Sequence, residues 1–156
     1  MAAYGRTRPT PAILVIEDSP VVAMALLEAL SLLWPAAVEQ AMHCADLGST
    51  RLWLARHLPD LVIADLKLPD SEPDTTITTL VQLLPAHVPL VVISGYVTSL
   101  EGYQYLERGA DAFLPKGGDT LHMVEAIGHV WLAAQGRRQR QRLAVSPTPL
   151  LVDEDT

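Results

Sequence analysis

Runs of four to eight aliphatic residues bounded by turn signals suit strands buried on both faces of a parallel sheet. The chain has such runs at Ala12–Ile16, Leu61–Asp65 and Val88–Ile93, a brief one at Asp111–Pro115, and a weak short one at Val38–Met42. Between them the apolar spacing turns helical. Ser19-Pro20 opens a helix, with serine as N-cap and proline in the first turn, that runs to about Leu33 and stops before Pro35. Asp46–His57 follows, with Leu47, Leu54 and Leu58 on its inner face. Then come Pro73–Leu84, ended by Pro85, and Thr98–Arg108, stopped by Gly109. A last helix spans about Asp119–Gln135, and the arginine run beyond it is open to it as a continuation. Five strands alternating with five helices on short loops predict an α/β domain, a doubly wound five-stranded parallel sheet.

Composition narrows the setting. At 156 residues the chain fits one domain able to bury most of a core, and that core should be aliphatic, since aromatics make up only 5%. The net charge of −7 argues against general affinity for nucleic acid. Cys44 is the single cysteine, so no intrachain disulfide forms; a buried free thiol in a reducing compartment is the plain reading. Met1–Pro11 carries Arg6 and Arg8 but no apolar signal region, and reads as a loose arm. The most apolar stretch, Val21–Leu33, contains Glu28 and is too short to span a bilayer, so no membrane contact and a cytoplasmic location are expected. After Gly136 a basic piece, Arg137–Arg142, gives way to a Pro-rich acidic end, Val145–Thr156, too short and polar for a further output domain.

A parallel sheet gathers the carboxyl ends of its strands on one edge, where open α/β sheets bind ligands. Four of the five runs then deliver polar groups to that edge: Glu17 and Asp18, Asp65, Ser94, and Lys116. Two carboxylates about 4 Å apart repel by ~4 kcal/mol at an effective dielectric near 20. Three together call for cations: a lysine neutralises one, and a hard divalent ion such as Mg²⁺ suits the remaining oxygens. Positive charge around equatorial oxygens and an in-line nucleophile are also what a transferring phosphoryl group requires. Asp65, flanked by apolar sequence, is the best candidate nucleophile, and attack by its carboxylate yields an acyl phosphate.

The acidic pair Glu17-Asp18, Asp65 with Pro69 four residues on, Ser94-Gly95 and Phe113-Leu-Pro-Lys116 together resemble the response-regulator receiver domains of bacterial two-component phosphorelays, over about residues 12–136. The resemblance implies a flavodoxin-like fold of receiver type and a signalling phosphoprotein that assists its own phosphorylation rather than an enzyme. Asp65 would take phosphate from a histidine kinase or histidine phosphotransfer protein. Glu17, Asp18, Asp65 and the main-chain carbonyl of Lys67 would hold Mg²⁺. Lys116 would pair with the phosphoryl oxygens, Ser94 would hydrogen-bond one of them, and Phe113 would turn inward as the switch aromatic. Two positions depart from the family pattern: Pro73 replaces a loop glycine, and Gly117 replaces the proline after the lysine that usually carries a cis peptide.

Two surfaces follow. The first predicted helix is apolar around much of its girth, so Val22, Ala25, Leu26, Ala29 and Leu33 are candidates for a patch that docks the donor's helical bundle. Trp131, with Met123, Ile127 and the Tyr103–Leu106 stretch, is a candidate homodimer or effector face on the last two helices. Asp70 reads as a loop acid, the Lys67 side chain as solvated, and the arginine run as a solvated helix end suited to the dipole. The five histidines show no metal-ligand spacing. Competing readings are a receiver-like binding module that never uses phosphate, the receiver part of a DNA-binding regulator, and a magnesium phosphatase; against the last stands the absence of an Asp-x-Asp pair at a strand end.

Overall fold

The computed structural model describes residues 10–95 and 99–145. Most of the expected N-terminal arm, the expected helix start at Thr98 and the acidic end from 146 on lie outside the described residues. Five strands, β1 (Ile13–Ile16), β2 (Met42–Cys44), β3 (Leu61–Asp65), β4 (Leu90–Ser94) and β5 (Ala112–Pro115), form one sheet in the order β2-β1-β3-β4-β5. All four neighbouring pairs are parallel, with β1 and β3 aligned Ile13 to Leu61 through Ile16 to Ala64. Six helices are described: α1 (Pro20–Leu30), α2 (Ala37–Gln40), α3 (Leu47–Leu54), α4 (Pro73–Leu83), α5 (Ser99–Glu107) and α6 (Thr120–Val145).

Every residue of β1 and β3 is buried, because the period of two sends alternate side chains into two separate cores. Ile13, Val15, Ile63 and Ile93 pack with Leu26, Leu27 and Leu30 of α1 and Ile127 of α6. Leu14, Ile16, Val62 and Val92 pack with Leu47 of α3, Ile77 and Leu80 of α4, and Tyr105 of α5. Burial on both faces is what makes these strands read as continuous aliphatic runs. Chain order reverses between β1 and β3, which opens a crevice at their carboxyl ends.

Four expectations are corrected. The strand at Val38–Met42 is instead a single helical turn, α2, followed by β2. Ala37 is fully buried there, and the Ala41 N–H reaches the Ala37 carbonyl at 3.0 Å, while Val38, Glu39 and Gln40 face solvent; pairing with β1 begins only at Met42. A six-helix count replaces five for the same reason. The first helix ends at Leu30, not Leu33, because its last turn tightens into 3₁₀-type bonds from Leu32 to Ala29 and Leu33 to Leu30. Leu58 is 57% exposed, since α3 stops at Leu54 and releases it from the inner face. The last helix does continue through the arginine run, to Val145, with Arg137 beside Asp111 at 3.6 Å. Gly109 takes a φ of 121° after α5, where a Cβ would meet Val81 at 2.9 Å.

Candidate functional site

Glu17 leaves β1 fully buried and is clamped by the end of β2. Its N–H donates to the Cys44 carbonyl at 3.0 Å, and its own carbonyl accepts the His43 Nε2–H at 2.6 Å. Ser19, next but one, caps α1 through the Val22 N–H at 3.2 Å and offers its N–H to Glu17 Oε2 at 3.3 Å. Asp18 between them is exposed. Asp65 closes β3 with Oδ1 accepting the Lys67 N–H at 3.0 Å. Lys116 follows β5, and its N–H bonds the Ser94 carbonyl at 2.8 Å, which ties the ends of β4 and β5 together.

These ends converge. Lys116 Nζ stands 2.6 Å from Asp65 Oδ2 and 2.5 Å from Glu17 Oε1. Carboxylate oxygens of Glu17, Asp18 and Asp65 lie within 4.8 Å of one another. Burial pushes the Glu17 carboxyl above its usual range, opposed by Lys116 and reinforced by Asp18. For Lys116 burial pulls the ammonium down, but hydrogen bonds to Asp65 and Glu17 outweigh it and the net shift is upward. One ammonium against three acids leaves negative charge uncompensated. Glu17 Oε1 is buried against the Lys116 ammonium at 2.5 Å. A hard, oxygen-seeking divalent cation fits that donor set.

A cleft of 660 Å³ opens over this rim, lined by Asp18, Asp65, Lys67, Ser94, Glu101, Tyr105 and Lys116 among others. Glu101 and Tyr105 had no signal in the sequence, because only the fold brings α5 over the β4 end. Phe113 is not in the cleft: its half-buried ring packs toward α5, against Gly102. Pro73 occupies the first position of α4, where a missing N–H costs nothing. The Gly117 region has no cis peptide, and Gly117 itself takes a φ of 74°.

Of the five residues expected to form a docking patch, Val22, Ala25, Leu26 and Ala29 line an apolar groove of 300 Å³ between α1 and the start of α6, with Met123 and Lys116 also on its wall. Leu26 is core, only 4% exposed, and forms no outward patch. Leu33 is outside the groove, turned by the 3₁₀ bonds toward Gly128 of α6. Val21, overlooked because it precedes the expected stripe, is 78% exposed at the groove's edge. On the last helices the expected face is corrected at Ile127. Ile127 is fully buried, and Trp131 is half-buried, meeting Trp34 edge-to-face at 6.1 Å. Tyr103 of α5 remains 65% exposed. Asp70 is more than a loop acid: both its oxygens accept N–H groups at the start of α3. No described helix is long and apolar enough to cross a membrane.

Parallel strands in this order, with an acid trio and a lysine at their carboxyl rim, define a doubly wound α/β domain with a charged site at its switch point. Residues 13–128 match the family described as the response regulator receiver domain, and the chain belongs to that family. It is 27% identical over 120 residues to the DNA-binding transcriptional regulator NtrC of Bradyrhizobium sp. (strain RP501 Parasponia), covering 77% of this chain and 24% of that protein. It is 25% identical over 146 residues to the transcriptional regulatory protein BaeR of Escherichia coli O6:H1, covering 93% of this chain and 58% of that one. The chain thus spans less than two thirds of either relative. A CheY-like receiver domain from Methanospirillum hungatei JF-1 shares the fold, with a TM-score of 0.70 at 19% identity, over 83% of this chain and 99% of that one.

Proposed function

We propose that this receiver takes a phosphoryl group onto Asp65 from the phosphohistidine of a kinase or phosphotransfer protein in the cytoplasm, and signals through the change that follows. The observation that carries this is Lys116 Nζ held between Asp65 Oδ2 at 2.6 Å and Glu17 Oε1 at 2.5 Å, on a rim where three carboxylates meet. An Asp65 oxygen forms the new O–P bond as the P–N bond breaks, and the imidazole leaves with that electron pair and takes a proton from solvent. Glu17, Asp18, Asp65 and the Lys67 carbonyl would hold Mg²⁺, which when bound supplies positive charge to the phosphoryl oxygens. Lys116 neutralises one of those oxygens and Ser94, on the cleft wall, offers a hydroxyl to another. Phe113, without a hydroxyl to satisfy, can change its packing at no cost of a buried donor. The groove beside α1 would receive the donor, and the exposed Tyr103 side of α5 an effector or a second copy.

Incubation with acetyl phosphate and Mg²⁺ should add one phosphoryl group by mass, and Asp65→Asn should add none. A protein that stays unmodified while remaining folded would leave the phosphate-independent binding module as the better reading.

A further inference from the structure

The loop that follows Asp65 is strung between two helices. Leu68 and Ser71 close a tight turn on themselves, N–H to carbonyl at 3.0 and 3.2 Å, with Pro69 and Asp70 at its tip. On the far side the buried Thr76 hydroxyl of α4 donates to Ser71 Oγ at 2.8 Å. On the near side Asp70 Oδ1 accepts the Leu47 N–H and Oδ2 the Gly48 N–H, both at 2.9 Å. Asp46 caps the same helix through the Ser49 N–H at 2.7 Å, so Asp70 takes the two preceding free N–H groups that this cap leaves. The bond therefore works at both ends: it completes the start of α3 and ties down the loop that carries Asp70, 22 residues on.

We propose that Asp70 is a positioning residue for the acid rim: by tethering the turn to α3 it fixes Lys67, whose N–H aims the Asp65 carboxylate at 3.0 Å. The proposal rests on the reading of the rim as a Mg²⁺ and phosphoryl site. Charge-assisted bonds from backbone N–H groups are short and directional, so losing them frees the turn in a way that losing a neutral contact does not. Partners that hydrogen-bond a metal ligand directly change metal affinity by about ten to a hundredfold when removed, and Asp70, acting through the Lys67 backbone, belongs at the lower end of that range.

Mg²⁺ titration of the whole chain, followed by ¹⁵N NMR, tests it. Asp70→Ala should weaken Mg²⁺ by about tenfold, and Asp70→Asn, whose amide oxygen still accepts an N–H, by less. The amide of Gly48 should lose protection from hydrogen exchange in the alanine variant. Asp46→Ala removes the other cap of the same helix and should leave Mg²⁺ affinity unchanged. The proposal is overturned if Asp70→Ala exposes the Gly48 amide without weakening Mg²⁺, or if Asp46→Ala weakens it equally, which would make both residues mere helix supports. Failure of the underlying reading shows separately, as a wild-type protein that takes up no Mg²⁺.

Discussion

Glu17 is held out of water, and burial raises its carboxyl pKa above the usual range even with Lys116 beside it. A group whose pKa is higher folded than unfolded stabilises the fold below its unfolded value, near 4.3, and loses that contribution as pH rises through the folded value. At neutral pH the ionised Glu17 therefore sits in the fold at a desolvation cost. Glu17→Gln should raise the melting temperature without Mg²⁺ by a few degrees, an effect of about 1 kcal/mol, and should abolish the further rise expected of the wild type on adding Mg²⁺. Thermal denaturation with and without Mg²⁺ checks both, and a melting temperature that falls in the variant would contradict the charge argument. Mg²⁺ affinity of the wild type should also fall at a higher pH than ordinary carboxylates would dictate, because Glu17 must lose its proton first. The acids and Lys116 were legible because each ends an aliphatic run, and a parallel sheet leaves such endings only one place to go. Asp70 and His43 were not, since what they bind is backbone more than 20 residues away and carries no residue-type signature.

Among the elements, α5 holds a glycine where helices disfavour one by ~1 kcal/mol relative to alanine. A Cβ on Gly102 would lie 2.6 Å from Phe113 Cδ1 and 3.0 Å from Cε1, so the bare backbone is what admits the ring. Gly102→Ala should gain helix propensity yet displace that ring. Phe113 is the chain's single phenylalanine, so a fluorophenylalanine label gives one fluorine resonance. In the resting variant that resonance should move toward the position the wild type takes with beryllofluoride and Mg²⁺. An unmoved resonance with a higher melting temperature would show the ring yielding in place. Far from the glycine, Arg108 anchors the other end of α5 to the first turn of α4, bonding Asp74 Oδ1 at 2.8 Å and the Thr78 hydroxyl. Periodicity revealed α1, α4 and α5 but not the turn at Ala37–Gln40. There one buried alanine decides the conformation, too short a stretch for any period to register.

For the molecule as a whole, the cleft and the apolar groove share Lys116 as a common wall. A donor seated on the groove would thus present its phosphohistidine beside the acid rim. Val21→Glu, at an exposed edge, should slow phosphotransfer from the cognate histidine donor about tenfold, the cost of roughly 1.4 kcal/mol of lost docking, while acetyl phosphate still modifies Asp65 at the wild-type rate. Equal slowing by both donors would remove the groove from the docking surface. The layered fold was legible from the alternation of elements. That Trp131 is half-buried was not legible, because a helix period cannot reveal an aromatic partner on another segment, here Trp34 just past the end of α1.

The tryptophans carry a practical corollary. Trp34 and Trp131 meet edge-to-face, and Trp53 stacks on His57 at 4.7 Å near the end of α3. None of the three lines the cleft. Ultraviolet emission from this domain should therefore track global melting while staying silent to cation entry, and an indole grafted beside Asp65 would be required to see the chemistry by light.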